Sequence, residues 1–197
     1  KQTKLLAFGN PDLKKPEYDL PGAQEEVKAI SNIIPGSQIL LREKATETAF
    51  KKLSDQFNQF HFASHGFFDP ENPLNSGLVL AKDEDNDGFL RASELYTLNL
   101  EAKLVTLSAC ETGLGKISNG DDIIGLTRGF LYAGANSIVA SLWKISDTAT
   151  AYLMKNFYNN LKKQNTRDAL RRAQLATKEQ FGHPFYWAAF QIMGSAF

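Results

Sequence analysis

Phe60-His61-Phe62-Ala63-Ser64-His65-Gly66 and Leu104-Val105-Thr106-Leu107-Ser108-Ala109-Cys110-Glu111-Thr112-Gly113 are the stretches that decide the fold. Each begins with a short apolar run of strand length. Each run passes at once into a polar segment that carries a residue able to do chemistry. In open α/β sheets, sites form beyond the carboxyl ends of the strands. His65 and Cys110 each stand just past such an end. Two neighbouring strands would bring them together across the 45 residues that separate them in sequence.

Working outward, Leu5-Leu6-Ala7-Phe8 reads as a first buried strand ended by Gly9-Asn10-Pro11. Residues 10–21 are polar, with three prolines, and form a loop. Val27, Ile30, Ile33 and Ile34 mark a helix from Ala23 to Ile34, stopped by Pro35-Gly36. Gln38 to Leu41 is a second strand, and Thr46 caps a helix carrying Phe50, Leu53 and Phe57. Gly77 to Ala81 and Phe89 to Leu90 read as arms of a hairpin, and Ser93 as the cap of a short helix. A helix from Asp121 or Asp122 to Ala133 ends at Gly134. Ser137 to Trp143 is the next strand. Helices follow at about 147–163 and 166–180, and Tyr186 to Met193 closes the chain as a strand. On the first of these helices, Ala151, Met154, Phe157, Tyr158 and Leu161 form one stripe, which reads as a core face. This alternation predicts right-handed crossovers and a mostly parallel sheet with helices on both faces.

The chain has 197 residues, 43% hydrophobic and 22% charged, as suits one globular domain. Lys+Arg and Asp+Glu both number 22, so there is no basic excess to mark a nucleic-acid partner. No apolar run reaches the ~18–20 residues that span a bilayer, so no membrane partner is expected. A lone cysteine cannot form an internal disulfide and fits a reducing compartment, so a cytoplasmic location is expected. One Cys and three His exclude a Cys-rich zinc site. No cofactor or metal is called for. The start at Lys1 suggests a domain cut from a longer protein.

A thiolate is the strongest side-chain nucleophile near neutral pH, and a nearby imidazole helps it ionise and protonates the leaving amine. The backbone N–H groups of Gly66 and Cys110 suit an oxyanion hole, since a glycine lets its N–H approach closely. A thiol or an imidazole at a strand end also suits an inert packed residue. His61, on the same strand face as His65 but deeper, is read as structural, and His183, before Pro184, as loop.

Phe62-Ala63-Ser64-His65-Gly66 and Leu107-Ser108-Ala109-Cys110-Glu111-Thr112-Gly113 resemble the CHAT domain, a relative of caspases and separase. Gly125-Leu126-Thr127-Arg128-Gly129-Phe130-Leu131-Tyr132-Ala133-Gly134-Ala135 and Ser141-Leu142-Trp143-Lys144-Ile145-Ser146-Asp147 resemble the later segments of that family. The resemblance implies a caspase-like three-layer sandwich over residues 1–197, a His65–Cys110 dyad and the two backbone donors. It also implies an N-terminal helical-repeat array of the TPR kind in the full-length protein. Trp143-x-Ile145-x-Asp147 is similar to the separase segment whose aspartate faces a substrate arginine. Asp147 is thus implied to select a basic residue before the cleaved bond, with Asp121 and Asp122 as further candidates. Capping a helix that starts at Thr148 is the simpler role for Asp147. The expected activity is cysteine endopeptidase action on a protein or peptide substrate. A catalytically silent CHAT module that binds signalling partners is the alternative.

Two motifs compete. Asp83-x-Asp85-x-Asp87-Gly88-x-Leu90-x-x-x-Glu94 has the side-chain spacing of an EF-hand calcium loop. An EF-hand needs a helix before the loop, and Gly77 to Ala81 reads as strand, so an acidic hairpin turn is the expected structure. Gly113-Leu114-Gly115-Lys116 lacks the first glycine and the Ser/Thr of a phosphate-binding loop.

Overall fold

A computed structural model describes residues 3–69, 71–108, 122–143 and 145–195, the side chains of 122–124 excepted. The strands are Leu5–Pro11 (β1), Gln38–Arg42 (β2), Gln59–Ala63 (β3), Gly66–Phe67 (β4), Gly77–Val79 (β5), Phe89–Arg91 (β6), Leu104–Leu107 (β7), Ser137–Ser141 (β8) and Phe190–Gly194 (β9). The helices are Pro21–Ser31 (α1), Glu47–Leu53 (α2), Ala92–Leu95 (α3), Asp122–Tyr132 (α4), Asp147–Leu161 (α5), Thr166–Phe181 (α6) and Pro184–Trp187 (α7). Six strands form the central sheet in the order β2-β1-β3-β7-β8-β9. All pairs are parallel except β8 with β9. A second, antiparallel sheet has the order β4-β5-β6.

The period-2 alternation of the strands sorts side chains onto two faces. Leu6, Phe8, Phe60 and Phe62 meet Phe50 of α2 and Phe130 of α4 on one face. Leu5, Ala7 and Leu104 meet Val27 and Ile30 of α1 and Leu153, Met154 and Phe157 of α5 on the other. This is the three-layer arrangement expected from the alternation. No helix among the described residues is long and apolar enough to cross a membrane.

Several local features differ from expectation, among them α2, which ends at Leu53, short of Phe57. β1 does not stop at Gly9 but continues to Pro11. Its register with β2 slips between Gly9 and Pro11, where Asn10 adopts φ 48°. Such a bulge absorbs a residue without ending the strand, and Asn tolerates that conformation. Gly66-Phe67 pairs with Leu78-Gly77 as β4, too short a strand to show periodicity. Ser93 lies inside α3, whose start is closed by Glu94 Oε2 accepting from the Arg91 N–H at 3.0 Å. Tyr186 belongs to α7, begun by Pro184 with His183 Nδ1 accepting from the Phe185 N–H, and the last strand starts only at Phe190.

Phe50 is fully buried and touches the rings of Phe8, Phe60, Phe62 and Phe130 at centroid distances of 5.3–6.4 Å. Phe50→Ala is therefore expected to destabilise the fold by about 3–5 kcal/mol, as large-to-small changes at closed aromatic sites do. The urea midpoint measures this, and a loss below about 1 kcal/mol would mean that the cluster closes over the gap.

Candidate active site

β3 and β7 lie side by side, with Gln59 opposite Leu104 and Phe62 opposite Leu107. The pairing runs on by one bond, Ser108 N–H to Phe62 O at 2.9 Å. The two strands that lead to His65 and Cys110 are thus neighbours, as the sequence requires for a dyad. His65 is described. Cys110 and Asp121 lie outside the described residues, as does the side chain of Asp122.

His65 is 3% exposed, between the end of β3 and the start of β4. Its carbonyl accepts from the Val79 N–H of β5 at 2.8 Å, so the small sheet fixes its backbone. Its Nε2 is 2.9 Å from the carbonyl oxygen of Tyr18, and its ring meets the Tyr18 ring edge-on at 5.7 Å. A carbonyl only accepts, so Nε2 carries the hydrogen. In the neutral ring the lone pair then falls on Nδ1, which is the atom able to act as base. Gly66 is buried, and a Cβ there would meet the Phe68 ring at 2.9 Å, so packing alone favours glycine at this position.

On the same face of the sheet, a polar chain runs beneath His65 through the apolar core. Glu26 of α1 is 4% exposed and His61 of β3 is fully buried. His61 Nε2 lies 2.8 Å from Glu26 Oε1, at ion-pair distance but off the line of an ideal hydrogen bond. The Ser108 hydroxyl donates to the same Oε1. His61 Nδ1 faces the Tyr158 hydroxyl at 3.0 Å, and that hydroxyl donates to Thr106 Oγ1 at 3.0 Å. Burial pushes the Tyr158 phenol well above its ordinary range; the Thr106 bond opposes this and the Glu26 charge adds to it. The α5 stripe read as plain core thus carries one polar group, which reaches the sheet.

Asp147 is exposed in the first turn of α5. The cap is not Asp147 but Ser146, whose hydroxyl accepts from the Ala149 N–H at 3.3 Å. The Asp147 carboxylate instead rests against Gly22 in the first turn of α1, where an added Cβ would overlap it. Tyr18 and Gly22 are four residues apart, a reach of at most about 14 Å. His65 and Asp147 therefore flank one short stretch of chain.

Residues 1–195 match the CHAT domain family. The chain belongs to that family. Human tetratricopeptide repeat protein 28 is 28% identical over 230 aligned residues, covering 95% of this chain and 9% of the relative. The chain spans about a tenth of the length of the curated relatives it matches. Among solved structures, the Saccharomyces cerevisiae separase–securin complex superposes with TM-score 0.64 at 15% identity, over 100% of this chain and 12% of that one. Gingipain R, an Arg specific cysteine proteinase, gives 0.65 at 10% identity over 98% of this chain and 46% of its own. The Drosophila initiator caspase Dronc gives 0.54 at 9% identity over 97% and 79%. At these identities the likeness concerns the fold, and it is caspase-like.

In this CHAT domain the acidic 83–94 segment runs from the turn after β5 through β6 into α3, with Asp87-Gly88 just before β6 and Gly88 at φ 86°. Asp83 accepts from the Asp85 and Asn86 N–H groups and from Thr48. Arg91 holds Asp87 at 2.8 Å and keeps its carboxyl below the usual range. Lys51 bridges Glu47 and Glu94 at 2.5 and 2.9 Å, and Lys52 lies 3.5 Å from Asp85. The carboxylates with calcium-loop spacing are thus spent on turn N–H groups and on cations, with a strand where an EF-hand has its first helix. Among the described residues, no three His, Cys, Asp or Glu side chains converge as metal ligands. The melting temperature is expected to be the same in chelator as in millimolar calcium; a calcium-dependent rise, read by scanning calorimetry, would contradict this assignment.

Proposed function

We propose that this CHAT domain is a cysteine endopeptidase that acts through Cys110 and His65 and prefers Arg or Lys before the scissile bond. The observation that carries the reading is His65 itself. It is a buried imidazole at the carboxyl end of β3, oriented by the Tyr18 carbonyl so that Nδ1 is the basic atom. The neighbouring strand, β7, leads within three residues to the only cysteine of the chain. A thiol and an imidazole past adjacent strand ends suit acyl transfer.

In this mechanism the Cys110 thiolate adds to the substrate carbonyl, and the Gly66 and Cys110 N–H groups receive the oxyanion. As the C–N bond breaks, the imidazolium of His65 gives its proton to the departing amine. Water then attacks the thioester, passes a proton to His65 and releases the carboxylate product and the thiol. The peptide or protein substrate is the one partner the chemistry requires. A helical-repeat region of the TPR kind in the intact protein is supported by the name of the curated relative. Asp147 is the proposed partner of the substrate's basic side chain, with Asp121 and Asp122 as further candidates. Its exposed carboxylate beside the Tyr18–Gly22 stretch supports that role.

Profiling with a diverse peptide library on the intact protein tests the reading. Cys110→Ala is expected to lower turnover by up to ~10⁶-fold, and His65→Ala by about 10²–10⁴-fold, with the fold retained in both. A parent protein that cleaves nothing, or a Cys110→Ala variant within about tenfold of the parent, would assign the domain to partner binding instead.

Asp147→Ala is expected to lower kcat/KM for cleavage after Arg by about 30-fold, with cleavage after apolar residues unchanged. That is the lower end of the ~2–5 kcal/mol range for breaking a charge pair, because Asp147 is exposed until a substrate covers it. Equal kcat/KM values for Arg substrates in parent and variant would place the specificity elsewhere.

A further inference from the structure

Resting on the peptidase reading for its activity readout, we propose that Glu26 is a positioning residue of the site. Its carboxylate, 2.8 Å from His61 Nε2, accepts from the Ser108 hydroxyl and so fixes the residue that stands two before Cys110.

The chemistry of burial requires some such role. A carboxylate 4% exposed in an apolar core is costly unless paired. Stability alone would be served as well by apolar side chains of similar size. Here Oε1 takes both His61 Nε2 and the Ser108 hydroxyl. His61 has no rotational freedom, because its other nitrogen faces Tyr158, which is tied to Thr106. The result is a carboxylate whose position is set from β3, β7 and α5 and whose remaining task is to hold Ser108.

Ser108 is the first residue beyond β7. Its backbone makes the last bond to β3, through Phe62 O. Past that point the ladder of β3 with β7 contributes nothing more, because β3 itself ends at Ala63. A second anchor at Ser108, reaching Glu26 of α1, holds this residue where the ladder stops. The same helix α1 comes just after Tyr18, whose carbonyl orients His65. Glu26 thereby ties the exit of the cysteine strand to the element that precedes the histidine's anchor. A displacement of about 1 Å at a nucleophile costs up to ~10²-fold in rate, so a small gain in direction is enough to explain why a charge is kept there.

The test uses Ser108→Ala, which removes the tether and leaves the Glu26–His61 pair, together with Ser108→Thr, which keeps the hydroxyl. Both are made in the intact protein, beside Glu26→Gln and the double variant Glu26→Gln/Ser108→Ala. Two readouts run in parallel: kcat and KM on a cleaved peptide, and the rate at which iodoacetamide alkylates Cys110, read by mass spectrometry on the peptide that carries it. Ser108→Ala is expected to lower kcat by about 10- to 100-fold with KM unchanged, to slow alkylation, and to melt at a lower temperature because a buried acceptor loses its donor. Ser108→Thr is expected to restore both rates. The double variant is expected to be no worse than Ser108→Ala alone, because Glu26 acts through Ser108. The inference is overturned if kcat and the alkylation rate of Ser108→Ala stay within about twofold of the parent. It is equally overturned if Ser108→Thr is as impaired as Ser108→Ala, or if the two losses add. If the parent cleaves no peptide while alkylation falls in Ser108→Ala and recovers in Ser108→Thr, the positioning role stands and the peptidase reading fails.

Discussion

A charge buried in an apolar core is the constraint on which the rest of this domain depends. Glu26 sits among Val27 and Ile30 on the buried side of α1, where an unpaired carboxylate would be intolerable. His61 and Ser108 supply the partners, and Tyr158 and Thr106 complete the chain. Four elements, α1, β3, β7 and α5, meet in this one network. Apolar packing is nearly indifferent to small slides of a helix along a sheet. A hydrogen-bonded carboxylate is not, because breaking one partner of a buried pair costs about 3–5 kcal/mol. The network therefore sets where α1 stands along the sheet, and the segments attached to α1 are placed with it.

The carboxyl edge of the sheet is built on that placement. The chain entering α1 presents the Tyr18 carbonyl to His65, and its first turn presents Gly22 to Asp147. Both contacts require close approach: one a hydrogen bond to the backbone, the other a residue without a side chain. The small sheet works on the opposite side of His65, taking its carbonyl through Val79. The His65 ring is thus held by one backbone group and the His65 backbone by another, and these move less than side chains. On the face of α2 and α4, the Phe8, Phe50, Phe62 and Phe130 cluster contributes stability without direction.

The acidic hairpin shows why spacing alone is weak evidence for a site. Residues 83–94 have the side chains a calcium loop requires, in the right order. Spacing along the chain places ligands only when the backbone curls as in the motif. Here the flanking residues pair as β5 and β6, and Lys51, Lys52 and Arg91 take the charges the loop would have offered an ion.

The order of strands and helices, the two-faced parallel sheet and the places of His65 and Cys110 past strand ends are set by local information. Apolar run lengths, helical periodicity and Gly and Pro punctuation report the backbone within a few residues of themselves, so one sequence suffices to read them. β7 was legible to its exact limits for that reason, and the end of α4 to within one residue of Ala133. The family-like stretches around His65 and Cys110 were legible for the same reason. The orienting partner of His65 was not, because it is a backbone carbonyl, which every residue carries and no letter marks. Glu26 was not, because a glutamate one position from an apolar stripe reads as surface until its helix is laid on a sheet. Its partner Ser108 is 82 residues away. The placing of Asp147 against Gly22 was likewise decided by how α5 meets α1. Local sequence determines which elements form and which chemistry they carry; only packing, through contacts between residues far apart in the chain, decides which atoms face one another.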